Sequence, residues 1–242
     1  MTEPKKKEAT GITHVTDIAP QRPRIVVWLG AASPIRTIRW LDGALACAAQ
    51  LGAATAVAAG SATWLDLAAD RAMRAKVGSA GIATDLALDY LGWGQLAAAA
   101  AKLLAANLVL VDEASRPERF AEVAAIAELM DAAQLTQVVA LEAQGGQWRA
   151  TRAAGDELQT IRVSGLAVVG VRIPGAEIDE YPTPLPSPSM RKLDFETLGL
   201  DASVLAHRAV PVRSPREVRR TVEHVADALA VHVAARRRIG RR

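Results

Sequence analysis

Three turns that follow apolar runs carry glycine or serine, and turns of this kind can bind phosphate. They are Gly30-Ala-Ala-Ser33, Gly60-Ser61 and Asp112-Glu-Ala-Ser115. In parallel α/β proteins, ligands lie at the carboxyl ends of the strands, where helix N-termini offer backbone N–H groups to an anion. None of the three turns is a GxGxxG or Walker loop, and the same residues are common in ordinary turns. The candidate nucleotide-binding residues are therefore Gly30, Ser33, Gly60, Ser61, Asp112 and Ser115.

Nucleophilic catalysis and metal binding find little support in the residue pattern. The sequence has no GxSxG elbow, HExxH, CxxC or EF-hand loop. Its single cysteine, Cys47, lies in an apolar helical run, where a thiol more often packs than reacts. Of the four histidines, only His224 and His232 lie on one predicted helix, and surface positions explain them well. We predict no catalytic residues and no metal site.

A proline-rich segment from Tyr181 to Lys192 is the most distinctive stretch of the chain. Its alternating prolines fix φ and remove backbone donors, so the segment is predicted to be neither a helix nor an inner strand. Such a stiff loop is pre-organised to present apolar side chains, here Tyr181, Leu185 and Met190, to a partner. The alternative interpretation is a rigid linker between the core and the tail. The prolines are Pro182, Pro184, Pro186 and Pro188.

The composition indicates a cytoplasmic protein with a large aliphatic core. Of 242 residues, 50% are hydrophobic but only 4% are aromatic, so Ala, Val, Leu and Ile must build most of the core. No uncharged apolar run reaches the roughly 18 residues of a transmembrane span. Residues 1–22 are polar, lack the apolar segment of a secretory signal and are expected to be flexible. A single cysteine excludes an internal disulfide and favours a reducing cytoplasm.

Basic residues are concentrated at the end of the sequence. Residues 1–150 carry 14 basic and 15 acidic side chains, whereas residues 151–242 carry 15 and 11. Nucleic-acid binding usually needs a broad basic surface or an aromatic stacking platform, and a terminal cluster with scattered tryptophans provides neither. We therefore predict no nucleic-acid partner. The terminal arginines are Arg236, Arg237, Arg238, Arg241 and Arg242.

Apolar runs alternate with segments of helical periodicity as far as Asp131, and this alternation predicts an α/β fold. The runs are apolar throughout, which is typical of strands covered on both faces, and the connections are short. We predict a mostly parallel sheet with helices on both faces. The predicted strands are Arg24–Leu29, Ala53–Gly60, Ile82–Leu88 and Asn107–Asp112, and the helices are Ile35–Gln50, Trp64–Val77, Trp93–Ala105 and Phe120–Met130.

After Asp131 the pattern changes to short strands separated by the turns Gly145-Gly146 and Gly155-Asp156. Hairpins that follow an α/β half predict an antiparallel extension of the same sheet. The strands are predicted at Leu135–Ala143, Trp148–Ala153, Leu158–Val163 and Ala167–Ile173.

The tail is predicted to form a helical arm. Ser214-Pro215-Arg216-Glu217 has the layout of a capping box with proline at the first helical position. Apolar residues then follow at helical spacing, and the terminal arginines suit the negative end of a helix dipole. The predicted organisation is a flexible segment 1–22, an α/β domain 23–200 and a C-terminal arm 201–242.

Three phrases in the second half resemble the β subunit of electron transfer flavoproteins. They are Gly155–Val163, Leu166–Ile173 and the loop that holds Leu185-Pro186 and Met190-Arg191-Lys192. They are similar in order and spacing to that family's glycine-turned strand, apolar strand and recognition loop. Ala127–Gln134 also resembles the family's phrase before the same segment. The likeness extends over roughly residues 24–235 and is specific over about 127–200.

The resemblance implies a divergent member of this family with an adenine-nucleotide alpha-hydrolase-like domain and a recognition-type loop at 174–192. It implies a heterodimer with an α subunit that holds most of an FAD. It also implies a flavin-dependent dehydrogenase as electron donor and a quinone reductase as acceptor. The chain would shape the FAD environment and dock the donor without catalysis of its own. The docking residues would be Tyr181, Leu185, Pro186, Met190, Arg191 and Lys192, and Leu185 corresponds to the leucine that plugs the donor's pocket.

The arm would then bind the α subunit through its Val and Leu face. The alternative is that this helix packs on its own domain.

Two departures from the family bear on nucleotides. Phe120–Val123 stands where the family has Asn-Gln-Thr-Gly, so phosphate donors are replaced by an aromatic ring and a carboxylate. This change favours a subunit that has lost the usual AMP, or the second FAD of bifurcating members, or holds it differently. Near the N-terminus, the family's long loop shrinks to Val26–Ser33, so its flavin contacts do not carry over.

Two other functions remain open from the sequence. One is a stand-alone adenine-nucleotide sensor or hydrolase of the same fold, which would bind phosphate at the Gly30, Gly60 and Asp112 turns. The other is a structural subunit of a dehydrogenase complex whose redox path lies entirely in other chains.

Overall fold

Strands and helices alternate through the first half of the chain and give way to strands in the second. The structure, a computed structural model, describes residues 22–30, 34–113, 119–172 and 189–207. The elements in order are β1 (Arg24–Leu29), α1 (Pro34–Leu51), β2 (Ala53–Gly60), α2 (Ala62–Arg74), β3 (Gly78–Ala83), α3 (Tyr90–Leu103), β4 (Leu108–Asp112), α4 (Arg119–Met130), β5 (Ala133–Gln144), β6 (Gln147–Ala154), β7 (Glu157–Ser164), β8 (Ala167–Val171), β9 (Arg191–Leu193) and α5 (Ala202–Ala206).

All nine described strands belong to one sheet, in the order β7-β6-β5-β8-β4-β1-β2-β3-β9. The strands from β5 to β9 in that order are mutually parallel, whereas β6 is antiparallel to both β5 and β7. The prediction of a mostly parallel α/β sheet with an antiparallel extension is confirmed. β8, which follows the β6–β7 hairpin along the chain, lies between β4 and β5 in the sheet.

Helices cover both faces of the parallel part. Alternate residues of β1 point to opposite faces, so Ile25 and Val27 pack with α1 and α2, whereas Val26 and Trp28 pack with α3 and α4. Both faces of β1 are therefore buried, which explains why its sequence is apolar throughout.

The abundance of alanine and glycine lets the helices approach one another closely. A Cβ added to Gly94 of α3 would lie 2.9 Å from the Cβ of Ala125 on α4, closer than side-chain carbons normally come. Small residues at this contact thus replace the bulk that aromatic residues supply in other cores.

The two hairpins of the extension use glycine where the turn geometry requires it. Gly145 and Gly146 both have positive φ, at 57° and 76°, as in a type I′ turn. At the next turn only Gly155 has positive φ, at 65°, which matches type II′. These tight turns fix the register of β5, β6 and β7.

Several element bounds differ from the sequence-based prediction by two or three residues, and three differences matter most. The third strand was predicted at Ile82–Leu88, but it spans Gly78–Ala83, because pairing with β2 rather than an apolar pattern defines it. The short elements β9 and α5 were not predicted. The predicted strand at Ala167–Ile173 ends at Val171. Residues 1–21 and 208–242, which include most of the predicted flexible segment and the helical arm, lie outside the described residues.

Candidate functional site

The sheet reverses its strand order at β1, and this is where ligands bind in folds of this class. From β1 the chain proceeds through β2 to β3 on one side, and then β4 pairs with the other side of β1. Gly30 follows the end of β1, Gly60 ends β2 and Asp112 ends β4, so the predicted turns do meet at the carboxyl edge of the sheet. Ser61 precedes α2 and is exposed. Ser33 and Ser115 lie outside the described residues.

A buried hydrogen bond lies at the carboxyl end of β1. Trp28 is fully buried, and its indole Nε1–H donates to Oε1 of Glu122 over 2.6 Å. Glu122 lies in the first turn of α4 and is itself buried. A Cβ added to Gly30 would lie 3.2 Å from the same carboxylate oxygen. The carboxylate therefore lies directly beside the turn that was predicted to cradle phosphate.

A second tryptophan lies on the other face of the sheet, at the end of β1. The indole Nε1–H of Trp64, from α2, donates to the backbone carbonyl of Leu29 over 3.3 Å. Only 8% of Trp64 is exposed. The end of β1 thus lies between two large indole rings, one on each face of the sheet.

Two further carboxylates are buried at the end of the neighbouring strand. Asp112 and Glu113 are both buried, and Glu113 accepts a hydrogen bond from the backbone N–H of Gln137 over 2.6 Å. Gln137 has a positive φ of 58° at an irregularity of β5, which directs this N–H towards the carboxylate. Burial raises the pKa of Glu113, an effect that the Gln137 N–H and the charge of Arg172 partly offset.

This arrangement differs from a phosphate cradle in both charge and shape. A cradle needs backbone N–H groups or cations that face open space, whereas here carboxylates and indoles occupy the described floor of the crevice. Nor do the carboxylates form a metal site, since the described part of the chain holds no group of three or more His, Cys, Asp or Glu side chains placed to bind a metal ion.

The predicted docking residues fall partly within the sheet. Arg191 and Lys192 form the edge strand β9, paired with β3, and their side chains are exposed. Met190 was predicted to face a partner, but its side chain is half-buried against the aliphatic core of its own domain. A Cβ added to Gly81 would clash with the Met190 sulfur, so β3 makes room for this side chain. Tyr181, Leu185 and Pro186 lie outside the described residues.

The opposite edge of the sheet, β7, is long and regular. Its eight residues pair with β6 without a register shift, and among the described strands none pairs with its other side. In this antiparallel hairpin, hydrogen-bonded and non-hydrogen-bonded pairs alternate along the strands, starting from the turn at Gly155. The backbone N–H and C=O groups of Leu158, Thr160 and Arg162 therefore point away from β6. Leu158 is 70% exposed. An edge of this kind, free of proline and bulges, is a template for adding another strand.

Comparison with known proteins does not place the chain in a family. No family model matches it, and no curated protein matches it significantly. In the described residues, no helix is both long and apolar enough to cross a membrane.

A shallow groove of about 530 Å³ lies between α3 and the turn before α5. Its wall is mostly apolar, and Leu103 and Leu129 at its rim are more than a third exposed. Lys102 is the only charged side chain in the lining. The groove offers an apolar contact surface but no pair of groups that could perform acid–base or nucleophilic chemistry.

The residue of this crevice that the sequence did not single out is Trp28, whereas Glu113 belongs to the predicted turn after β4. Trp28 reads as one more apolar residue of a buried strand, and its partner Glu122 lies 94 residues away in the sequence. Glu122 itself carried a signal, because it lies in the segment that replaces the family's Asn-Gln-Thr-Gly phrase. Only the fold brings these residues together at the end of β1.

Proposed function

We propose that this chain is a divergent β subunit of a heterodimeric electron transfer flavoprotein. An α subunit would hold most of the FAD, and the pair would accept electrons from a flavin-dependent dehydrogenase and pass them through a quinone reductase towards the respiratory chain. The β subunit would have no catalytic activity of its own. It would act in the cytoplasm by shaping the flavin environment and docking the donor.

The resemblance over residues 127–200 is the starting point of this proposal. The described parts of the phrases that resemble the family occupy the end of α4 with the start of β5, the turn at Gly155 with β7, β8, and the first two residues of β9, in the same order along the chain. The α/β sheet with an antiparallel extension fits the fold that the resemblance implies.

The observation that carries the proposal is the edge of β7. A stand-alone protein normally protects a long edge strand with proline, a bulge or a very short length. β9 at the other edge has only three residues, which is such a protection. β7 has eight residues, no proline and an exposed Leu158, as expected of a surface that another chain covers.

The buried carboxyl groups at the ends of β1 and β4 weigh against the stand-alone sensor or hydrolase. Such a protein would need the Gly30, Gly60 and Asp112 turns to accept phosphate. Instead, the carboxylates of Glu122, Asp112 and Glu113 are buried at or beside the ends of β1 and β4.

Co-expression with an α-type flavoprotein from the neighbouring genes tests the proposal. A tagged chain should pull down a yellow complex, and the visible spectrum should show about one FAD per heterodimer. A colourless monomer that retains ATP or AMP would contradict the proposal and favour the sensor. A colourless complex with dehydrogenase subunits would favour the structural role.

A proline variant locates the interface. Thr160→Pro removes an N–H that points away from β6, so the hairpin should fold while strand addition at β7 is blocked. The matched control is Thr160→Ala. We expect at least a tenfold loss of complex with proline and little change with alanine. Equal recovery of the complex from both variants would exclude β7 as the interface.

A further inference from the structure

In doubly wound sheets a nucleotide phosphate binds outside the carboxyl ends of the strands, at the point where the strand order reverses. The following helix directs its N-terminal N–H groups towards the anion. In this chain that point is the end of β1, between β2 and β4. α1 follows β1 along the chain, and α4, the helix that follows β4, brings Glu122 of its first turn beside Gly30. A nucleotide held in the usual manner would therefore place its phosphate near Gly30 and the first turn of α4.

Glu122 occupies this location. Its carboxylate lies in the first turn of α4, accepts the 2.6 Å hydrogen bond from Trp28, and lies 3.2 Å from where a Cβ of Gly30 would be. An ionised carboxylate is an anion with hydrogen-bond-accepting oxygens, so in the first turn of a helix it is attracted by the same positive helix end as a phosphate.

Two indole rings and two further carboxyl groups lie beside Glu122 in the described part of the crevice. Trp28 fills the face towards α4, and Trp64 fills the face towards α2. Asp112 and Glu113 bring two more buried carboxyl groups to the end of the adjacent strand. A phosphate would have to displace the Trp28–Glu122 hydrogen bond and enter beside these acidic groups, both of which cost free energy.

We infer that the Glu122 carboxylate takes the place of a nucleotide phosphate, so that the chain binds no adenine nucleotide at this crevice and folds without one. The inference depends on the strand order and on the contacts of Trp28 and Glu122. It holds whether or not the chain pairs with a flavoprotein α subunit, so the two proposals can fail separately.

The first test measures nucleotide binding to the full-length wild-type chain. A ligand at a hundredfold excess over its dissociation constant would raise Tm by roughly 5–10 °C for a domain of this size. We expect AMP, ADP and ATP at millimolar concentration to leave Tm unchanged, and we expect extraction of the purified chain to release no stoichiometric AMP. A saturable rise in Tm with AMP, or about one AMP per chain on extraction, would overturn the inference.

The second test asks whether an external anion can replace the carboxylate. Glu122→Ala removes the anion and should lower Tm, and acetate or inorganic phosphate should then restore part of the loss. The control is Glu128→Ala, an exposed position on the same helix, which should show neither effect. All samples are matched in ionic strength with sodium chloride.

Glu122→Gln keeps the inference testable if the alanine variant does not fold. The amide oxygen can still accept the indole hydrogen bond, so this variant should fold, lose part of its stability and still ignore AMP. If Glu122→Ala folds and responds to acetate and phosphate no more than Glu128→Ala does, the carboxylate does not occupy an anion site. Micromolar binding of AMP to the wild type as well as to Glu122→Gln would contradict the inference, whereas binding to Glu122→Gln alone would show that the charge of the carboxylate excludes the phosphate.

Discussion

Leu193 offers a direct test of whether the segment after the proline-rich loop belongs to the sheet or serves as a free docking element. Its side chain is 3% exposed and belongs to the buried apolar cluster on the face of the sheet that α3 and α4 cover, whereas its neighbour Lys192 is exposed on the same strand. We expect Leu193→Ala to destabilise the fold substantially and Lys192→Ala to leave it nearly unchanged.

The expected magnitude follows from the burial of Leu193 and the short length of β9. Truncating a fully buried leucine costs about 2–5 kcal/mol, which combines the lost transfer free energy with the cavity that remains. Because β9 has only three residues and lies at an edge, its surroundings can relax, so we expect a cost of about 2–3 kcal/mol. For a domain of this size that corresponds to a fall in Tm of roughly 4–12 °C.

Thermal and urea unfolding of the two variants and the wild type provide the assay. Limited proteolysis should also cut Leu193→Ala earlier than Lys192→Ala, since a detached β9 exposes the neighbouring backbone. If the two variants unfold within about 0.5 kcal/mol of each other, a typical surface effect, then β9 is not part of the folded sheet. The pairing of Arg191–Leu193 with β3 would then be wrong.

Two further predictions concern buried charges. The side chain of Arg71 is 5% exposed and donates a hydrogen bond to Asp42 over 2.9 Å. Asp42→Ala leaves this buried charge without its partner and should lower the free energy of unfolding, measured by chemical denaturation, by about 2 kcal/mol. The double variant Asp42→Leu with Arg71→Met should recover most of that loss. Because burial raises the pKa of Glu113 in the folded state, the wild type should lose stability relative to Glu113→Gln as pH rises from about 4, the ordinary carboxyl pKa. If the wild type instead lost stability relative to Glu113→Gln as the pH was lowered, the pKa of Glu113 would be lowered by folding rather than raised.

The parallel core could be predicted from the sequence because its strands are apolar runs bounded by turn residues. The bounds of β1 and β2 agree with the prediction at both ends. β3 was misplaced because Gly78-Ser-Ala-Gly81 has no apolar pattern. This segment is a strand only because it pairs with β2 and accommodates Met190 against Gly81.

The geometry of the crevice could not be predicted, because it depends on contacts between distant segments. The sequence placed Gly30 and Asp112 at strand ends but did not reveal which side chains fill the space between them. The hydrogen bond from Trp28 to Glu122 joins a strand and a helix 94 residues apart. The hydrogen bond that Glu113 accepts from the backbone N–H of Gln137 depends on a positive φ at Gln137, which is an unusual conformation for a residue with a side chain.

Native mass spectrometry of the complex that co-purifies with this chain tests the central claim most directly. The proposal predicts one copy of this chain, one copy of an α-type flavoprotein and one FAD, with no mass left for AMP. A particle that contains this chain alone, or this chain with a bound adenine nucleotide and no flavoprotein, would contradict it.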